Sequence, residues 1–124
     1  MTRLGLVALA LLAGGCAAGR EAPLLQIVEI PNSESRLAAG TTRLVLRVLP
    51  GARINARLKP ALELQTGEIY RFDSPLLTPD SAYFTAMPTL DLPESVAHSP
   101  GLVRAGICLE GETVCRTTEV AWSP

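Results

Sequence analysis

Three cysteines carry the most specific chemistry in this sequence: Cys16, Cys108 and Cys115. A thiol can be acylated, can bind a soft metal ion, or can form a disulfide that either stabilises a fold or exchanges electrons. Which of these chemistries applies depends on the cellular compartment and on the segments that hold each thiol.

The segment before Cys16 has the organisation of a secretory signal peptide. Arg3 supplies a positive charge, residues 4–12 are uniformly apolar apart from Gly5, and small residues precede the cysteine. Even an apolar run extended to residue 18 is shorter than the roughly 20 residues that span a bilayer as a helix. The sequence therefore predicts a cleaved signal peptide at residues 1–15 rather than a permanent membrane span.

The residues Leu12-Ala13-Gly14-Gly15-Cys16 resemble the lipobox of bacterial lipoproteins. The resemblance implies that Cys16 becomes the lipidated N-terminus and that residues 16–23 form a short tether to the membrane. Several acyl chains on one residue suffice for stable anchoring. Because Ala17 follows the cysteine, the resemblance also implies a periplasmic protein held at the outer membrane. The alternative is an ordinary signal peptide followed by an incidental cysteine.

Lipidation of Cys16 leaves Cys108 and Cys115 as a pair in an oxidising compartment, where a disulfide between them is expected. A hairpin with a type II′ turn at Gly111-Glu112 places the two cysteines directly opposite each other. In this register both lie on the more polar face, nearer to solvent than to the core. The disulfide is then either a structural bond, worth about 2.5 kcal/mol on the chain-entropy estimate, or a redox-active pair.

Alternating apolar residues predict short β-strands along the mature chain. The clearest strand covers residues 41–49, where Leu44, Leu46 and Val48 share one face. Further strands are predicted at residues 24–30, 61–65, 68–72, 82–86, 102–109 and 113–122. The 10 prolines exclude long helices, and turn signals every eight to twelve residues or so are typical of an antiparallel β-sandwich. We expect one such domain over residues 24–124.

An alternating strand that ends in Pro50-Gly51, a following Pro60, and a terminal hairpin with two cysteines occur in that order. This order is similar to that of the immunoglobulin-like N-terminal periplasmic domain of the thiol:disulfide interchange protein DsbD and its relatives. The resemblance covers residues 24–122. It implies an immunoglobulin-like fold in which the cysteine pair exchanges electrons with an exported thiol protein, such as a thioredoxin-like protein. Where this family usually has aromatic residues after Pro-Gly, the chain has Ala52 and Arg53.

The composition argues against several other functions. Lys and Arg number 11 against 12 Asp and Glu, so the chain lacks the basic surface typical of nucleic-acid binding. His98 is the single histidine, and no serine lies in a Gly-x-Ser-x-Gly motif, so a hydrolytic triad has no support. Two cysteines and one histidine fall short of a zinc site, and no cofactor is expected. Copper binding by Met87, His98 and a reduced Cys108 is an alternative, although packing of Met87 and solvation of His98 explain these residues more simply.

Four arginines are interpreted as a solvated strand face rather than as a site for lipid headgroups: Arg43, Arg47, Arg53 and Arg57. Taken together, the sequence predicts a lipid-anchored periplasmic domain that takes part in thiol-disulfide exchange through Cys108 and Cys115. The alternative is a non-catalytic interaction module of the cell envelope whose disulfide is purely structural.

Overall fold

The computed structural model describes residues 23–30 and 41–124. The predicted signal peptide, the lipidation of Cys16 and nearly all of the predicted tether lie outside these residues. The described part contains β1 (Leu25–Ile30), β2 (Thr41–Val48), β3 (Ala52–Ile54), β4 (Ala61–Leu64), β5 (Ile69–Arg71), β6 (Thr89–Pro93), β7 (Gly101–Leu109) and β8 (Arg116–Trp122). It includes no helix with the length and apolar character needed to cross a bilayer.

Strands β1, β2 and β6 form one antiparallel sheet, in the order β1-β2-β6. The long strand β2 therefore has a hydrogen-bonded neighbour on each edge. Its alternation follows the prediction, because Leu44 and Leu46 are fully buried while Arg47 is exposed on the opposite face.

The second antiparallel sheet has five strands, and β7 lies at its centre. Strand β8 pairs with one edge of β7, from Gly101 to Ile107. Strands β4 and β3 pair with successive parts of the other edge, and β5 lies beyond β4. Most of β7 thus has a hydrogen-bonded strand on both sides, so its side chains have neighbours on two strands.

The two sheets pack against each other around one apolar core. Strand β7 contributes Val103, Ala105 and Ile107, each at most 3% exposed, and β8 contributes Trp122. The rest of the core comes from both sheets and from the connections between them. It consists of Leu25, Leu44, Leu46, Ile54, Leu62, Leu64, Phe72, Phe84, Leu90, Leu92 and Ala97. This arrangement confirms the predicted all-β antiparallel sandwich.

Two strands are not predicted from the sequence. Strand β3 has only three residues and directly follows the Pro50-Gly51 turn. Strand β6 follows Pro88 and ends at Pro93, and its alternation is limited to buried Leu90 and Leu92 around an exposed Asp91. Both segments are too short and too close to turn residues for periodicity to separate them from loops.

The strand predicted at residues 82–86 is wrong. Within the described ranges this segment forms isolated bridges, one from Tyr83 to Asn55 and one from Phe84 to Leu77. Its bonding partner changes from one residue to the next, so a continuous ladder does not develop.

Candidate functional site

The terminal hairpin of β7 and β8 carries the two cysteines. The last pair of its ladder joins Ile107 to Arg116, so Cys108 and Cys115 are the next residues in register. They form a disulfide, and their Cα atoms are 4.2 Å apart. The predicted pairing of the two cysteines and the predicted disulfide are both confirmed.

The turn of this hairpin differs from the predicted type II′ turn at Gly111-Glu112. The Glu112 N–H donates to the carbonyl oxygen of Leu109 at 3.1 Å, so the central residues are Glu110 and Gly111. Gly111 has φ 80°, which suits the second central position of a type II turn. In addition, the Glu110 N–H donates to the Gly51 carbonyl oxygen at 2.8 Å, which ties this connection to the residue before β3.

The two cysteines differ in their access to solvent. Cys108 is 2% exposed, whereas Cys115 is exposed. The prediction that both lie near solvent is therefore right for Cys115 and wrong for Cys108. Cys108 lies between two neighbours, its cross-strand partner Arg53 on β3 and the bonded Cys115, whereas Cys115 lies in the connection before β8. The neighbouring Val114 is 69% exposed, so an apolar side chain adjoins the accessible cysteine in the sequence.

Arg53 lies directly opposite Cys108 in the pairing of β3 with β7. On the other edge of β3, Asn55 bridges to Tyr83, and the Arg53 guanidinium carbon lies 4.0 Å from the centre of the Tyr83 ring. This cation–π contact holds the charge at the end of the sheet that carries the disulfide. Arg47, Arg53 and Arg57 are exposed, as predicted, but the four arginines do not form one strand face, because Arg43 lies in the other sheet.

A tight turn at residues 78–83 holds Tyr83. The Tyr83 N–H donates to Thr78 Oγ1 at 3.2 Å, and the Thr78 N–H donates to the Tyr83 carbonyl oxygen at 2.9 Å. Asp80 accepts hydrogen bonds from the Thr78 hydroxyl at 2.6 Å and from the Ala82 N–H at 3.1 Å. These two bonds lower the pKa of Asp80 because they stabilise its ionised carboxylate, and the bond from the Thr78 hydroxyl has the larger effect.

The outer face of the five-stranded sheet continues from the cysteine pair towards β5. Arg104 Nε donates to Glu119 at 2.9 Å, and its Nη1 lies 3.4 Å from Glu63. These side chains are about half exposed, so the ion pairs contribute little to stability. Beside them, the exposed Leu58 and Ile69 help to line a shallow groove of about 260 Å³.

The other residues considered from the sequence are not assembled into a site. His98 is exposed in the connection between β6 and β7, and Met87 is 54% exposed. Cys108 is held in the disulfide and is not a free thiol ligand in this state. Across residues 23–30 and 41–124, no three His, Cys, Asp or Glu side chains form a group that could hold a metal ion.

The candidate site therefore consists of an exposed Cys115, a covered Cys108 and the nearby charge of Arg53. An exposed sulfur can be attacked by a thiolate, and a nearby cation can stabilise the thiolate that leaves. Comparisons of the chain with models of protein families, with curated proteins and with solved structures find no match.

Proposed function

We propose that this protein is a lipid-anchored periplasmic domain that exchanges its disulfide with the thiols of another exported protein. The observation that carries this proposal is the unequal exposure of the two cysteines, since Cys108 is 2% exposed and Cys115 is exposed. Thiol-disulfide exchange depends on access to the sulfur that is attacked. An incoming thiolate therefore attacks the sulfur of Cys115.

The exchange with a partner dithiol takes place in two displacements. A partner thiolate attacks Cys115 Sγ, the bond between the two cysteines breaks, and its electron pair leaves on Cys108 Sγ. The partner's second thiolate then attacks the partner sulfur of the mixed disulfide and releases Cys115 as a thiolate. In the balance, two electrons and two protons pass from the partner dithiol to the Cys108–Cys115 pair, and the partner becomes a disulfide.

Two sequence features support the cellular part of the proposal. The lipobox-like residues before Cys16 and the apolar segment at residues 4–12 indicate export and lipidation. The order of motifs similar to the N-terminal domain of DsbD supports a partner with a thioredoxin-like fold. A lipid anchor would keep the described domain on the periplasmic side of the membrane, where thiols and disulfides are exchanged.

The test uses the full-length chain with Cys16→Ser, purified in detergent, so that Cys108 and Cys115 are the remaining cysteines. The protein is equilibrated in buffers with known ratios of reduced to oxidised glutathione, and the reduced fraction is measured by the mass that a maleimide adds. We expect a midpoint potential within about −120 to −270 mV, the range of known oxidoreductases. A midpoint below about −300 mV, typical of structural disulfides, would contradict the proposal.

Single variants of the same chain test which sulfur is attacked. In Cys108→Ser the remaining thiol of Cys115 is exposed, so it should form a mixed disulfide with oxidised glutathione. In Cys115→Ser the remaining thiol of Cys108 is covered and should react at least several-fold more slowly. Equal rates for the two variants would show that exposure does not direct the exchange.

One observation favours the alternative, a non-catalytic envelope interaction module. The disulfide joins the pair next to the last ladder pair, Ile107 with Arg116, where it also reinforces the hairpin. A loop with a sequence separation of 7 gives a stabilisation of about 2.5 kcal/mol on the chain-entropy estimate. A disulfide that resists millimolar dithiol, together with unfolding when it is removed, would establish this structural role.

A further inference from the structure

We propose that Arg53 is a positioning residue for this exchange and that its positive charge stabilises the thiolate that leaves on Cys108. This inference rests on the proposed function and adds to it the residue that sets the acidity of the leaving group. A leaving thiol of lower pKa departs faster from a disulfide, so a cation beside it accelerates the first displacement.

The register of the sheet supplies the geometry. Arg53 is the direct cross-strand partner of Cys108, and Cβ atoms of such partners lie about 4.5–5.5 Å apart. The guanidinium rests on Tyr83, on the far side of β3, at 4.0 Å from the ring centre. Neighbouring strands are about 4.8 Å apart, so the charge lies within roughly two strand spacings of Cys108. At that distance a charge acts on a covered sulfur through the protein and is screened by salt.

No carboxylate in the described ranges neutralises the charge of Arg53 by an ion pair. Arg104 and Arg43 form ion pairs at 2.9 and 2.8 Å, whereas Arg53 forms none with any residue in the described ranges. Tyr83 holds the guanidinium without neutralising it, because the ring offers its electron-rich face rather than a formal charge. The field of Arg53 is therefore available to Cys108 when its thiolate forms.

Other charged groups near this end of the sheet come from the hairpin connection and from β8. Glu110 and Glu112 carry negative charges on the connection, and Arg116, at the start of β8, lies 3.5 Å from Glu112. These side chains are exposed, as Arg53 is, so salt screens all of these charges and position decides between them. Arg53, which is directly opposite Cys108, is the cation that the register places closest to it among these strands.

The experiment uses the full-length chain with Cys16→Ser and compares three substitutions. Arg53→Met removes the charge and keeps an apolar side chain of similar length, while Arg53→Lys keeps the charge. The matched control is Arg47→Met, because Arg47 is an exposed strand arginine of the other sheet that donates to Gln26. The measurements are the rate of disulfide reduction by dithiothreitol, and the pH at which the thiolate absorbance near 240 nm appears in the reduced protein.

We expect Arg53→Met to be reduced about two- to threefold more slowly. This estimate assumes that the loss of the charge makes the leaving thiol about three- to tenfold less acidic. It also assumes that the logarithm of the exchange rate changes by about 0.4–0.5 per unit of the leaving thiol's pKa, the coefficient known for attacking thiols. The thiolate absorbance should appear at higher pH. Arg53→Lys should stay close to the parent, Arg47→Met should match the parent, and 1 M salt should reduce the difference between parent and Arg53→Met.

The outcomes separate this inference from the proposed function. If the parent exchanges with glutathione but Arg53→Met has the parent's rate and thiolate titration, Arg53 has no such role and the exchange function stands. If Arg53→Lys is as slow as Arg53→Met, the shape of the arginine matters and its charge does not, which also overturns the inference. If the parent itself does not exchange, the proposed function falls and the inference falls with it. Should Arg53→Met fail to fold, the salt dependence of the parent and the Arg53→Lys rate still decide the matter.

Discussion

The unequal burial of the two cysteines predicts that Cys108→Ser destabilises the domain more than Cys115→Ser does. Each substitution removes the same disulfide, and loss of a loop with a sequence separation of 7 costs about 2.5 kcal/mol of unfolding free energy. The difference between them comes from the hydroxyl that each introduces. At position 115 the hydroxyl meets water, whereas at position 108, 2% exposed, it must find a partner inside the protein.

A buried hydroxyl without a hydrogen-bond partner costs about 1–3 kcal/mol in protein mutants. The free thiol left at position 108 by Cys115→Ser costs little, because a buried cysteine behaves as a small apolar residue. We therefore expect a loss of about 2.5 kcal/mol for Cys115→Ser and about 3.5–5.5 kcal/mol for Cys108→Ser. Since small domains are stable by about 5–15 kcal/mol, Cys115→Ser should remain folded.

The assay is equilibrium unfolding in urea of the full-length Cys16→Ser chain and its variants, followed by the fluorescence of Trp122, which is 6% exposed in the folded domain. Mild reductant prevents disulfides between molecules in the variants. Cys108→Ala is the matched control, because it removes the same disulfide without introducing a hydroxyl, and it should lie closer to Cys115→Ser. Equal stabilities of Cys108→Ser and Cys115→Ser, within about 0.5 kcal/mol, would refute the assigned burial of Cys108.

Three further predictions concern other parts of the chain. Gly101→Ala should destabilise the domain clearly more than Gly106→Ala in urea unfolding, because an added Cβ at position 101 would lie 2.6 Å from the Glu63 carbonyl oxygen, whereas at position 106 its nearest neighbour would be a side-chain carbon at 3.3 Å. The pKa of Asp80 is lowered from 3.8 in the folded protein, so its stabilising effect is complete above that value and is lost as the pH falls through the lowered pKa. Asp80→Asn should therefore flatten the loss of stability measured in urea between about pH 5 and pH 2, and an unchanged slope would count against the hydrogen bonds to its carboxylate. Cys16→Ser should abolish incorporation of radiolabelled fatty acid, and equal labelling of the mutant would contradict the lipoprotein assignment.

The parts of the fold that the sequence predicts well are those with local, repeated signals. The alternation in residues 41–49 predicts β2 and its buried Leu44 and Leu46. The spacing of the cysteines around Gly111 predicts the pairing of Cys108 with Cys115, even though the turn itself is centred one residue earlier. The register is kept despite this difference because the turn does not lead directly into the ladder: β7 ends at Leu109, β8 begins at Arg116, and the last ladder pair is Ile107 with Arg116.

The parts that the sequence does not predict depend on residues far apart in the chain. Cys108 lies on the outward face of β7, as the alternation predicts, yet it is covered, and its cross-strand partner Arg53 lies more than fifty positions earlier in the sequence. Tyr83 reaches Arg53 through an isolated bridge to Asn55, which has no periodic signal. The two-residue interval between Arg53 and Asn55, which places both on one strand face, is the only local hint of this contact.

The placement of the disulfide relative to the core bears on whether the domain can stay folded in both redox states. Strand β7 turns Val103 and Ile107 into the core, and because alternate residues of a strand point to opposite faces, the packing that fixes them also fixes Cys108 on the outer face. Cys115 lies beyond the last ladder pair, in the connection before β8. Opening the disulfide therefore breaks no pair of the β7–β8 ladder. The core side chains that this ladder holds in place stay buried. This position satisfies what thiol-disulfide exchange would require, a domain that stays folded in both redox states, and it is equally compatible with a disulfide that only reinforces the hairpin.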